Sequence, residues 1–178
     1  EPQSVLENEI RSIPSKPIVQ TETQAEKTPN LINFDDLKIK GIGLDSSNKD
    51  LIKKIGKPQK TRNDGDSWNC LDSDTKTLFY RGLTVVVTED EESKKYKIND
   101  IDISSSKFQL DSGIKIGDDI NYVFSKVGKP YHQTKDKDLD EYHFMVSNNN
   151  DVSNDGGNVT FSVRQNKLVK IRWYYNFC

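Results

Sequence analysis

Residues 52–61, "IKKIGKPQKT", and residues 124–134, "FSKVGKPYHQT", are two versions of one phrase. Each ends an apolar, helix-spaced run with Gly-Lys-Pro. Gly56 and Gly128 stand where a left-handed C-cap is needed to end a helix. Pro58 and Pro130 then forbid its continuation, since proline lacks an amide hydrogen and clashes with the preceding turn. The lysine between them is a surface charge near a helix C-terminus. It is not a phosphate-binding lysine, because the Gly-rich loop of a P-loop is absent.

Working outward, a shift of 72 residues superimposes more than the triplet. Gly41 falls on Gly113, Ile42 on Ile114, Leu44 on Ile116, Leu51 on Val123 and Ile55 on Val127. Asp45, Ser46 and Ser47 offer N-caps to a first helix, and Asp118 to a second. Leu51 with Ile55, and Val123 with Val127, form a narrow apolar stripe on each. After each terminator come three strand-like runs: "TKTLFYR", "LTVVVTE" and "KYKINDIDIS", then "DEYHFMVS", "NVTFSVR" and "KLVKIRWYYNF". Polar turns between them predict antiparallel hairpins. The expected fold is therefore α+β: a tandem repeat of a helix followed by an antiparallel β-meander. The two units would share one antiparallel sheet with the helices on one face. Residues 1–33 read as a polar tether, 34–104 as the first repeat and 105–178 as the second. Val5, Leu6, Ile10 and Ile13 could form a short amphipathic helix in the tether.

Period-two alternation sorts the faces. Ile171, Trp173, Tyr175 and Phe177 share one side of the last strand, opposite Lys170, Arg172 and Tyr174. Val159, Phe161 and Val163 oppose Thr160, Ser162 and Arg164. Tyr142, Phe144 and Val146 oppose Glu141, His143 and Met145. The apolar sides are expected to meet the helices. The mixed side supplies the candidate binding residues: Phe79, Arg81, His143, Met145, Arg164, Arg172 and Tyr174. Aromatic and arginine residues of this kind anchor protein interfaces. Acids at Asp100 and Asp102, set against bases at Lys170 and Arg172, are expected to orient a partner.

The chain of 178 residues has a formal net charge of -2, 33% hydrophobic and 30% charged residues. That balance argues against nucleic-acid binding, which needs a dominant cationic field. It predicts a modest core. No apolar run reaches membrane-spanning length, so membrane contact is expected only through an N-terminal lipid anchor. The chain begins at Glu1, and a leader or tag is expected to have been removed.

Catalytic and metal readings have little to stand on. His132 and His143 lack a nucleophile-elbow partner and read as surface residues. The acid pairs Asp35–Asp36, Asp72 with Asp74, Asp100 with Asp102 and Glu91–Glu92 sit in polar turns or on an outer strand side, where solvation keeps them ionised. A cell-wall hydrolase using such carboxylates is the enzymatic alternative. Asp151, Ser153 and Asp155 alternate before Gly156 like the first half of a calcium loop. The closing position falls on Ser162, so an Asn/Asp/Gly hairpin loop is the preferred reading over a calcium-dependent surface protein. No cofactor is expected. Cys70 and Cys178 match no zinc spacing. They either pair in an oxidising compartment or stand as independent thiols. Pairing would close a 108-residue loop, worth about 4–5 kcal/mol in the chain-entropy view.

The stretches "GIGLDSSNKDLIKKIGKP" with Trp68 and "GIKIGDDINYVFSKVGKP" with Trp173 resemble the beta-lactamase inhibitory protein family. They are also similar to the single-copy lipoprotein repeat of the SmpA/OmlA (BamE) type. The resemblance covers roughly residues 36–178. It implies an exported bacterial protein, often lipidated, whose work is binding another protein. The inhibitors carry a disulfide within each repeat, whereas this chain has one cysteine per repeat, and no inhibitory residue carries over.

Overall fold

The computed structural model describes residues 31–65, 73–148 and 151–175, with the backbone alone at 148 and 151–156. Cys70, Cys178, Trp68, Phe177 and the helix expected near Val5–Ile13 lie outside the described residues. In chain order the elements are β1 (Ile32–Asn33), a 3-10 turn (Phe34–Leu37), α1 (Asn48–Ile55), β2 (Lys60–Gly65), β3 (Thr75–Tyr80), β4 (Leu83–Glu89) and β5 (Tyr96–Ile103). There follow α2 (Ile120–Val127), β6 (His132–Lys135), β7 (Asp140–Asn148), β8 (Asp151–Arg164) and β9 (Lys167–Tyr174).

These strands form one nine-stranded sheet in the order β1-β7-β8-β9-β5-β4-β3-β2, with β6 also paired to β7. The expected α+β tandem repeat is corrected by this arrangement. The chain is mostly β, its sheet is mixed rather than antiparallel, and among the described residues the α-helices are two eight-residue segments. The sheet is mixed because β1 runs parallel to β7, with Ile32 opposite Val146. Ile32 is buried, so the end of the segment read as a tether belongs to the fold. Three strands escape alternation analysis for a physical reason. β1 is two residues long, and β2 and β6 are almost wholly exposed and polar. Charged, polar edge strands resist pairing with other chains but carry no apolar periodicity.

Registry turns the alternating residues into continuous rows. Phe144, Val159, Trp173, Ile101, Val85 and Leu78 lie side by side from β7 to β3. Tyr142, Phe161, Ile171, Ile103, Leu83 and Tyr80 form the next row. Apart from the half-exposed Tyr142 and Tyr80, all of these are buried. Phe124 of α2 packs edge-on against Tyr142 at 5.0 Å, and the Tyr80 hydroxyl donates to the Gly56 carbonyl at the end of α1. Both helices therefore cover the apolar side. Their caps follow side-chain chemistry. The Ser47 hydroxyl accepts from the Asp50 amide at 3.1 Å. Asp119, not Asp118, caps α2 by accepting from the Asn121 amide at 3.0 Å. Asp118 instead accepts from the Lys115 amide in the preceding turn.

The Gly-Lys-Pro phrase ends both helices. Gly56 (φ 104°, ψ -179°) and Gly128 (φ 82°, ψ -156°) occupy an extended region of positive φ that is open essentially to glycine alone. A Cβ on Gly56 would meet nothing within 4 Å. Gly56→Ala therefore isolates backbone strain from packing. It is expected to cost about 1–2 kcal/mol, read as a lower urea midpoint at an unchanged slope. A variant as stable as the parent would show that this helix exit tolerates a side chain.

Candidate functional site

The side of the sheet opposite the helices is built from the residues that alternation pointed outward. One row runs His132, His143, Thr160, Arg172, Asp102, Thr84, Phe79 and Lys60 from β6 to β2. The next runs Met145, Asn158, Tyr174, Asp100, Val86, Thr77 and Arg62. Of the seven candidates, Phe79, His143, Met145, Arg172 and Tyr174 thus share this face. Arg81 sits in the two-residue turn joining β3 to β4. Arg164 ends β8 and donates from Nε to the Asp138 carbonyl, so it fastens a turn at the sheet's rim.

The polar groups of this face satisfy one another across strands. Arg172 donates from Nε (3.2 Å) and Nη2 (2.7 Å) to one carboxylate oxygen of Asp100. Lys170 reaches Asp102 at 2.7 Å. The guanidinium of Arg172 also lies 4.8 Å from the centre of the Tyr174 ring, within cation–π range. Acid and base are therefore joined between β5 and β9. The separate acidic and basic fields expected to orient a partner largely cancel at short range. Burial pushes the Asp100 carboxyl up, and the hydrogen bonds and charge of Arg172 oppose that rise without overcoming it. The Arg172 guanidinium is held protonated chiefly by the Asp100 bond. Farther along, Arg62 lies 5.5 Å from the Phe79 ring centre and pairs with Asp64. The Asp64 carboxyl meets a burial penalty, but hydrogen bonds from Thr77 and Arg62 outweigh it and hold the carboxyl low.

No family model matches this chain, and no curated protein matches it. Likeness is confined to solved structures. One is an extracellular protein containing a SCP domain from Bacillus anthracis str. Ames, at 12% identity and a TM-score of 0.44, over 89% of this chain and 50% of that one. Another is a cysteine-rich secretory protein from Staphylococcus aureus subsp. aureus Mu50, at 13% identity and a TM-score of 0.47, over 83% and 50%. A third is a beta-lactamase inhibitor protein candidate from Streptococcus mutans, at 17% identity and a TM-score of 0.27, over 71% and 82%. The chain spans half the length of the first two. Sequence support for the inhibitor or lipoprotein resemblance is absent from these comparisons.

At the β6 end, the rings of His132 and His143 lie 5.4 Å apart, as directly opposed residues on neighbouring strands. His143 Nδ1 shares a hydrogen bond with Thr160 at 3.1 Å, and its Nε2 lies 3.9 Å from Glu141. Among the described residues, no three histidine, cysteine, aspartate or glutamate side chains converge as metal ligands. Asp151, Ser153 and Asp155 fall on the backbone of β8, where Ser147 opposes Asp155 and Asn148 opposes Asp151 across register shifts. That backbone is strand where the sequence suggested a loop. Among the described residues no helix is long and apolar enough to cross a membrane.

Sequence reasoning sorted the strand faces but missed the pairing of Arg172 with Asp100 and of Lys170 with Asp102. Those pairs depend on β5 lying beside β9, and partners as far apart as Arg172 and Asp100, 72 residues, leave no local signal. The separate spacing of acids and bases along each strand was visible; their diagonal juxtaposition was not.

Proposed function

We propose that this chain is a non-enzymatic, extracytoplasmic bacterial module that binds another protein through the helix-free face of its sheet. The observation that carries the proposal is the makeup of that face. Tyr174, Met145, His143 and Phe79 stand on adjoining rows, while the charges between them are internally paired. Interface cores are depleted in free charge and enriched in aromatic residues and methionine. Met145 is 41% exposed at the end of its row, a long apolar side chain offered to solvent. The extracytoplasmic placement rests on the sequence resemblance to exported binding proteins.

The non-catalytic part of the reading is supported by Asp100. Burial pushes its carboxyl up. Its Oδ2 accepts both Arg172 hydrogen bonds, which ties that oxygen into a cross-strand ion pair.

The test uses side chains outside the ion pairs, since Arg172 also holds the sheet together. The parent chain and a Met145→Asp, Tyr174→Ala variant would be used to capture proteins from the surface and secreted fractions of producing cells. Circular dichroism would first confirm equal folding. A partner retained by the parent is expected to be recovered at least about tenfold less by the variant, the effect of losing about 1.4 kcal/mol or more. Arg81→Ala, altered in the turn, is expected to recover as much as the parent. Equal recovery by the parent and the double variant would remove this face from consideration.

A further inference from the structure

His132 and His143 are the two histidines of the chain, and the sheet brings them together. They oppose each other directly on the antiparallel pair β6–β7. Their ring centres are 5.4 Å apart and their planes 32° from parallel. The next row on the same side of the sheet places Thr134 opposite Glu141, and Glu141 opposite Ser162. Both Nε2 atoms lean toward that row. Nε2 of His132 lies 3.4 Å from the Thr134 hydroxyl, and Nε2 of His143 lies 3.9 Å from the Glu141 carboxylate.

The far nitrogen of His143 is held by the fold. Its Nδ1 meets the Thr160 hydroxyl at 3.1 Å, and Thr160 is only 8% exposed. With Nδ1–H donating to that hydroxyl, the lone pair of the neutral ring is on Nε2. Histidines that ligate metals are oriented in this way, by a hydrogen bond at the other ring nitrogen. A lone pair facing a carboxylate repels it unless a cation stands with them. A proton would serve one ring. A metal ion serves both, because it takes several nitrogen donors. The spacing agrees: two imidazoles sharing one tetrahedral zinc at about 2.0–2.1 Å hold their ring centres roughly 5 Å apart. Along the His143 row the next charged residue, Arg172, is two strands away and is paired with Asp100, so it does not repel a cation at the histidines.

We propose that His132 and His143 bind a divalent transition-metal ion of the zinc class, with one nitrogen from β6, one from β7, and water completing the coordination. Glu141 supplies compensating charge rather than a ligand, in keeping with the lack of three converging ligand side chains among the described residues. Nitrogen donors select against magnesium and calcium, which take oxygen. The consequence for the fold is local. All four residues of β6 are exposed, so no buried side chain anchors this edge strand. A metal held by both strands fastens β6 to β7, and binding is thereby linked to the docking of that strand. The site stands whether or not the helix-free face binds a protein.

The test adds zinc chloride to the full chain and follows the ring resonances of both histidines by NMR. Reading the rings separates this site from Cys70 and Cys178, whose thiols can also take zinc. Both rings are expected to shift saturably with one shared dissociation constant, and magnesium chloride at the same concentration is expected to move neither. In His132→Asn, altered at an exposed position, zinc affinity read at His143 is expected to fall at least about tenfold. In Thr160→Val, which keeps both ligands, it is expected to fall about tenfold through loss of ring orientation. Zinc is expected to raise the urea midpoint of the parent more than that of His132→Asn. No saturable shift, a response of one ring alone, an equal response to magnesium, or equal zinc affinity in the parent and His132→Asn would overturn the proposal. Unchanged affinity in Thr160→Val would overturn the orientation assigned to His143, and an equal rise in midpoint would overturn the link to β6.

Discussion

Trp173→Ala is expected to destabilise the protein by about 3–5 kcal/mol, the usual cost of emptying a large aromatic site in a packed core. Trp173 is 2% exposed and sits in the apolar row that is buried throughout, between Val159 on β8 and Ile101 on β5. Phe34 meets its ring edge-on at 4.8 Å and 76°. A Cβ on Gly43 would come within 2.8 Å of the indole, so the backbone before α1 is moulded to it. One side chain thus joins β8, β9, β5, the 3-10 turn and the segment leading to α1. These elements are fixed by other contacts and cannot collapse onto the space an alanine leaves, which places the loss toward the upper end of the range. Equilibrium urea unfolding followed by far-UV circular dichroism measures it. Trp173→Phe keeps most of the volume and should lose about 1–2 kcal/mol, so the order of the two variants stays readable even if alanine leaves little folded protein. A loss below about 1 kcal/mol for alanine would mean that the row is not the centre of the core.

The importance of Trp173 was legible in the sequence, as was the side of β9 on which it lies. Strand sides follow from a period of two, a local rule that needs no knowledge of neighbours. The helix exits were legible for the same reason: Gly56, Pro58, Gly128 and Pro130 act within one turn. The step from those exits to an α+β repeat failed because it weighed what carries a periodic signal and overlooked what does not. β2 and β6 follow the two prolines directly, yet Lys-Thr-Arg-Asn-Asp-Gly and His-Gln-Thr-Lys show no apolar face, since an edge strand needs none. β1 was hidden in the tether because its identity depends on a parallel partner more than 110 positions away. The extension of β8 back to Asp151 passes through a run of Asn, Asp and Gly that local propensity assigns to a loop. For the candidate face, five of the seven residues share one side because alternation carries that information. Arg81 and Arg164 do not belong to its centre because they sit at strand ends, where turn geometry decides direction.

The same long-range pairing that hid from the sequence makes Arg172 a structural residue, and this yields the second large effect. Arg172→Ala is expected to cost about 2–3 kcal/mol at neutral pH. Removing one member of a fully buried pair costs about 3–5 kcal/mol, because a desolvated charge is left without its partner. Here the Asp100 side chain is 11% exposed but that of Arg172 is 41% exposed, so the figure is discounted for solvent screening. The penalty belongs to Asp100, and two experiments show it. Asp100→Asn placed in the Arg172→Ala background removes the stranded charge, so the double variant should be more stable than Arg172→Ala alone, by about 1 kcal/mol or more. Acid should act in the same way. The folded-state carboxyl of Asp100 already stands above the ordinary value of 3.8, by burial, with Arg172 restraining the rise. Without Arg172 it rises further. A carboxyl raised in the folded state binds its proton more tightly there than in the unfolded chain, so its contribution to stability worsens as pH climbs from the unfolded value through the folded one. The gap between Arg172→Ala and the parent should therefore narrow as pH falls toward about 4, leaving the lost contact of the guanidinium with the Tyr174 ring. Urea unfolding at several pH values for the four chains of this cycle reads both trends. A gap that is constant across pH, together with a double variant no more stable than Arg172→Ala, would assign the role of Arg172 to packing on Tyr174 instead of neutralising Asp100.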